Sequence, residues 1–266
     1  MYDTVEVIPV SAATPYDTGS NTPSTCRGGN SAAYSQAVYF AEGYPGSYSN
    51  DVHRIPFATI TVLDTAAEYE DAAVYIGACA TELKYWITGG VDASVFYNDT
   101  NWMIFATETF TNIEVGLTSG RAGGICVATP HKVIFAGGRK TGAATSHEVD
   151  GWTHSVETFE AMDDLPGLGD YFSGGLSDTR MYAAYADNNW AMALSLETWA
   201  TLDTSSISQL TQMGDGSFGT GFLKPGGEVS GSATENIGMF SFATETYYDS
   251  GYDMTQAKYN SGFCSG

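Results

Sequence analysis

Ile104-Phe105-Ala106-Thr107-Glu108-Thr109-Phe110 decides the fold, because it comes back. Ser155-Val156-Glu157-Thr158-Phe159, Ser195-Leu196-Glu197-Thr198-Trp199 and Phe242-Ala243-Thr244-Glu245-Thr246-Tyr247 repeat its core, a Thr-Glu-Thr or similar turn followed by an aromatic residue. Two degenerate copies precede them, since Ile55-Pro56-Phe57-Ala58-Thr59-Ile60-Thr61-Val62 aligns with Ile8-Pro9-Val10-Ser11-Ala12-Ala13-Thr14-Pro15. The last threonine of each copy falls at 14, 61, 109, 158, 198 and 246, giving intervals of 47, 48, 49, 40 and 48. A period of this length with alternating apolar positions predicts propeller blades, each a four-stranded sheet that buries its faces against its neighbours.

Two further markers keep the same period. A glycine or glycine pair lies 18 to 20 residues before the threonine at Gly43, Gly89-Gly90, Gly137-Gly138 and Gly226-Gly227, each after a β-rich run such as Leu83-Lys84-Tyr85-Trp86-Ile87. The pair is expected where a strand ends and the backbone needs positive φ or close packing. The copy with Ala186-Asp187-Asn188-Asn189 in its place has a loop about eight residues shorter, which accounts for the interval of 40. Small residues 17 or 18 positions after the threonine, Cys79, Cys126, Gly175, Gly216 and Cys264, mark the innermost strand of the next blade, where side chains crowd the ring axis.

The diglycine after the second strand and the Thr-x-aromatic element of the fourth resemble kelch repeats over nearly the whole chain. More narrowly, Gly124-Ile125-Cys126-Val127-Ala128-Thr129-Pro130-His131-Lys132-Val133-Ile134-Phe135-Ala136-Gly137-Gly138 resembles kelch-like runs in bacteriophage tail and fibre proteins. The expected architecture is therefore an all-β propeller of about six kelch-like blades in one domain, 1–266. Blade repeats fall near 17–65, 66–113, 114–162, 163–202 and 203–250, with a closing blade formed jointly by 1–16 and 251–266. One strand of that closing blade has no sequence to supply it, so a three-stranded blade, a partner's segment or a longer chain are the alternatives.

Composition narrows the function. The net charge of −21, from 31 acidic against 10 basic residues, repels nucleic acid and anionic membrane surfaces. Gly, Asp, Asn or Glu interrupts every apolar run, so membrane insertion is not expected, and Met1 to Val10 does not read as a secretory signal. The four cysteines stand singly without zinc-ligand spacing and read as small buried hydrophobes.

Strand parity puts the long loops on one face and the short turns on the other. The long loops carry Tyr44, Tyr48, Phe96, Tyr97 and His147, the candidate recognition residues, because aromatic rings offer contact area at low entropic cost. Trp102 and Trp152 lie near third strands and read as core. The sequence assigns no catalytic residue, metal or cofactor: Met213-Gly214-Asp215-Gly216-Ser217-Phe218 is a poor match to a sialidase turn, and Arg27, Arg54, Arg121, Arg139 and Arg180 share no repeat position. No serine or cysteine sits in a nucleophile elbow.

The resemblance implies a non-enzymatic virion structural protein in a phage tail, fibre or surface decoration, acting in attachment or subunit interaction. Its partners would be other virion or surface subunits and a host glycan, and its location virion or extracellular. The alternatives are a secreted or cell-surface carbohydrate-binding propeller and a glycan-active enzyme.

Overall fold

Tyr85-Trp86-Ile87 has no polar side, so the strand that carries it needs cover on both faces of its sheet. The computed structural model describes residues 2–7, 16–26, 30–34, 36–41, 43, 47–113, 115–169, 172–185, 188–202, 216–218, 220–225, 228–229 and 232–258, and shows how that cover is supplied. Five antiparallel four-stranded sheets follow one another as the blades of a propeller.

A hairpin of β1 (Tyr2–Val7) and β2 (Tyr16–Cys26) precedes them. Blade 1 is β3 (Asn30–Tyr34), β4 (Ala37–Ala41), β5 (Asp51–Pro56) and β6 (Leu63–Glu68). Blade 2 is β7 (Gly77–Ala80), β8 (Lys84–Thr88), β11 (Thr100–Ile104) and β12 (Thr109–Asn112), with the small hairpin β9 (Val91–Asp92) and β10 (Val95–Phe96) in its long loop. Blade 3 is β13 (Ile125–Ala128), β14 (Lys132–Ala136), β15 (Val149–Thr153) and β16 (Thr158–Ala161). Blade 4 is β17 (Ser173–Leu176), β18 (Arg180–Tyr185), β19 (Asn188–Ala193) and β20 (Thr198–Thr201). Blade 5 is β21 (Gly216–Phe218), β22 (Gly221–Pro225), β24 (Ser232–Ser241) and β25 (Thr246–Lys258), with β23 (Glu228–Val229) on the far end of β24.

The innermost strands β3, β7, β13, β17 and β21 stand side by side in that order. Because side chains alternate across a strand, each blade feeds two cores. Tyr85 and Ile87 point back to join Tyr39, Val52 and Ile76 between blades 1 and 2. Trp86, between them in sequence, points forward to Val133, Phe135 and Trp152 of blade 3. Ile134 and Ala136 then meet Met181, Ala183 and Trp190, and Tyr182 and Ala184 meet Phe222, Phe240 and Tyr247. Each of these junctions thus has its own apolar core.

The repeated turn is the same object in all five blades. The residue before the last threonine is left-handed at Ile60, Glu108, Glu157, Glu197 and Glu245, with φ of 50°, 50°, 52°, 55° and 53°. Its amide donates to the carbonyl four residues back, as from Glu108 to Ile104 at 2.8 Å and from Glu197 to Ala193 at 2.7 Å. A left-handed non-glycine residue costs about 1 to 2 kcal/mol, so four glutamates in this conformation point to a use for the side chain.

Five blades replace the six expected. The Ile8–Pro15 copy lies outside the described residues, and its flanks β1 and β2 pair with each other. At the other end β25 does not turn inward to begin a new blade. It stays paired with β24 as far as Thr234 opposite Lys258, so the expected joint closing blade is not formed among the described residues. The hairpin lies against β25 instead.

The glycine pairs at 89–90 and 137–138 do have positive φ. At Gly89, φ is +63° and a Cβ would stand 2.4 Å from the Arg121 carbonyl oxygen, a backbone atom that cannot swing aside. Gly89→Ala is expected to destabilise the fold by about 1 to 3 kcal/mol, read as an earlier midpoint in urea unfolding.

Candidate functional site

The left-handed turn places its glutamate over the preceding blade, beside a cation. Arg54 Nη1 of blade 1 donates to Glu108 Oε1 of blade 2 at 2.7 Å, and the Tyr39 hydroxyl donates to the same oxygen at 3.1 Å. Lys132, first residue of β14, donates to Glu197 of blade 4 at 2.6 Å and to Glu160 of its own blade at 2.6 Å. Arg180, first residue of β18, pairs with Glu245 of blade 5, which also accepts from the Tyr182 hydroxyl at 3.1 Å. These contacts latch junctions 1–2, 3–4 and 4–5 on the face of the short turns.

Junction 2–3 has the same residues and a different arrangement. Lys84, first residue of β8, lies within electrostatic reach of Glu157, yet its ammonium stands 3.1 Å from the centre of the Trp102 ring. Burial pulls the Lys84 pKa below its ordinary value, and the nearby Glu157 carboxylate offsets part of that. Where Tyr39 and Tyr182 supply a hydroxyl to the latch glutamate, the equivalent third residue of β8 is Trp86, whose buried indole N–H has no hydrogen-bond partner.

The unlatched junction opens into a cleft of about 1280 Å³, lined among others by Lys84, Trp102, Asn112, Trp152, His154 and Glu157. Its lining is aromatic: Trp102, Trp152 and His154 pack on the buried Trp86, whose ring lies 6.1, 6.0 and 5.7 Å from theirs, centre to centre. Burial lowers the His154 pKa and Lys84 lowers it further, against a hydrogen bond to the Thr129 backbone that raises it. His154 is therefore neutral at neutral pH. The cleft offers half-buried indole surface, the Lys84 cation and the carboxylates of Glu82 and Glu157, a combination suited to holding a polar ring compound.

This cleft is on the face of the short turns, opposite to the long loops. Of the residues expected there, Tyr44 lies outside the described residues. Tyr48 is exposed on the blade 1 loop. Phe96 and Tyr97 belong to the blade 2 loop, where Tyr97 packs against the first core and its carbonyl accepts the Arg121 amide at 3.0 Å. His147 is half-exposed, with Nε2 3.4 Å from Asp164. Tyr48, the Phe96-Tyr97 pair and His147 thus sit on the loops of three successive blades. Trp102 and Trp152 both line the cleft, Trp152 as a buried core residue and Trp102 half-buried. The signal that would have found the cleft is the coincidence of Lys84, Trp86 and Trp102 in one repeat.

Two charged groupings occupy the long-loop face. Arg121, in the connection from β12 to β13, is fully buried against an equally buried Asp150. Thr118 donates to Asp150 through its amide at 3.3 Å and its hydroxyl at 3.1 Å, while Ser119 donates to Glu148 at 2.6 Å. Burial pushes Asp150 up and Arg121 down, each held back by the other's charge. No ligand reaches a pair so enclosed, and its work is to fix the connection between blades 2 and 3.

The other grouping is acidic. Asp71 is pushed up to about 6 by burial, by the charges of Asp99 and Glu70, and by a hydrogen bond with Asp99. Tyr97 is pushed up to about 12 by burial and by its hydrogen bond to Asp92. Among the described residues no group of three or more His, Cys, Asp or Glu is placed to hold a metal.

No family model matches the chain, and no curated protein matches it. Among solved structures it is similar to one titled "Structure of YjhT", with a TM-score of 0.76 over 91% of this chain and 88% of that one, at 12% identity. At that identity the likeness is one of fold. In all, 731 solved chains match; a fold does not carry an activity with it, so function has to be argued from the site.

An acid whose folded pKa lies above its unfolded value costs stability as pH rises, because the unfolded chain loses its proton first. For Asp71 that cost accrues between 3.8 and about 6 and is constant above. Asp71→Asn is expected to stabilise the fold by roughly 1 kcal/mol near pH 8, an advantage that vanishes near pH 4. Denaturant midpoints of both proteins across that range check it.

Proposed function

We propose that the protein is a non-enzymatic attachment module whose cleft between blades 2 and 3 binds a carbohydrate. The observation that carries the reading is the unlatched junction: Lys84 rests on Trp102 where its counterparts Lys132 and Arg180 are bound to glutamates. A sugar ring laid on Trp102 displaces the ammonium, which then meets either Glu157 or the sugar's hydroxyls. The apolar face of the ring takes the place of the cation on the indole, and the polar edge meets Lys84, Glu157 and Asn112 at the rim. Binding thus exchanges one cation–π contact for a stacked ring and a set of hydrogen bonds.

We place the module on a phage particle, in the tail, fibre or surface decoration, with other virion subunits as partners and a host glycan as ligand. The likeness of residues 124–138 to kelch-like runs of phage tail proteins supports that placement. Net charge of −21 disfavours nucleic acid and anionic lipid as partners.

The test is a glycan array probed with the full chain and with Trp102→Ala. The expected result is retention of a subset of glycans by the wild type, at least tenfold weaker retention by the variant with an unchanged circular dichroism spectrum, and recovery of the glycan chemically intact. Absence of any retained glycan contradicts the reading. So does binding that survives Trp102→Ala and is lost on replacing Tyr48 or His147, which moves the site to the long loops. Turnover of the glycan makes the protein an enzyme.

A further inference from the structure

The sulfurs of Cys79 and Cys126 are 3.0 Å apart. Both residues are 6% exposed, and they lie on neighbouring innermost strands, β7 and β13, which belong to different blades. The approach has a local cause. Gly77, at the start of β7, has no side chain, and a Cβ there would stand 2.4 Å from the Phe135 ring and 3.1 Å from the Cβ of Cys126. The strands therefore approach closely beside Gly77, and the next cysteine along β7 is carried up to its partner.

We propose that Cys79 and Cys126 form a covalent modification site, a disulfide that ties the innermost strand of blade 2 to that of blade 3. A disulfide bond is about 2.05 Å long, so the sulfurs have about 1 Å to close, within reach of side-chain rotation. The oxidant is a low-molecular-weight disulfide. One cysteine thiolate attacks a sulfur of that reagent, forming a mixed disulfide and releasing one small thiol. The thiolate of the other cysteine then displaces the second small thiol and leaves the protein disulfide. Two protons and two electrons leave the pair, and one reagent disulfide becomes two thiols. Because the pair is buried, the reaction takes place during folding or a local opening of the strands, and an oxidising medium favours the product. The bridge spans 47 residues of chain, long enough to restrict the unfolded state considerably.

The test uses the full chain with Cys26→Ser and Cys264→Ser, so that only the two thiols of interest remain. It is refolded from denaturant in a buffer of oxidised and reduced glutathione, then alkylated in denaturant and weighed. The expected result is no alkylated thiol, a mass two hydrogens below that of the reduced chain, a linked peptide pair containing Cys79 and Cys126, and a higher melting temperature that reductant reverses. Two alkylated thiols in a chain that has regained its native spectrum overturn the proposal, and so do glutathione adducts or intermolecular links alone. If the double variant does not refold, peptide mapping of the wild type purified without reductant decides the same question. The expected result there is the 79–126 link, and both cysteines alkylated, or linked only to Cys26 or Cys264, overturn it.

Discussion

A sheet that is apolar on both faces has to be covered on both faces, and the rest of this structure follows from that constraint. Tyr85, Trp86 and Ile87 are nearly wholly buried although they are consecutive, which is possible only when blade 2 is held between two others. Burial of one large apolar side chain is worth about 1.5 to 3 kcal/mol, whereas a partly exposed ion pair is worth about 0 to 1 kcal/mol. The junction cores therefore supply the stability. The latches add an ionic contact at three of the junctions, on a turn whose left-handed residue keeps its conformation with or without one, as Glu157 and Ile60 show.

The cleft is a departure from a rule the molecule otherwise keeps. Glu108, Glu197 and Glu245 all reach a cation of the preceding blade. At Glu157 the cation has turned to an indole, and the tyrosine that would have joined it is a tryptophan. The change substitutes an aromatic surface for an ionic contact at one junction. The positions of blades 5 and 1 that correspond to the latch are Gly221 and Ile60, so neither carries a charge, and the hairpin β1–β2 lies against the outer strand of blade 5.

The period, the turn and the glycine pairs were legible in the sequence because each is local. Glu108, Glu157, Glu197 and Glu245 align through the threonines and aromatic residues beside them, and the positive φ of Gly89-Gly90 follows from residue type. What was not legible depends on partners far along the chain. The latch pairs are separated by 54 and 65 residues, with no local pattern to join them. Likewise the Ile8–Pro15 copy matches the repeat in its spacing, but whether its flanks make a blade depends on where β2 and β25 find their partners. The aromatic residues of the long loops stand out because loop length is visible in a sequence, whereas an opening between two short turns is not.

Junction 2–3 is unlatched in the unbound protein while its neighbours are latched. A pair of double-mutant cycles tests it most directly, one on Lys132 and Glu197 and the other on Lys84 and Glu157, with neutral replacements and unfolding free energy as the readout. The expected coupling is about 0.5 to 1 kcal/mol for the first pair and clearly smaller for the second. A coupling between Lys84 and Glu157 as large as that between Lys132 and Glu197 would contradict it.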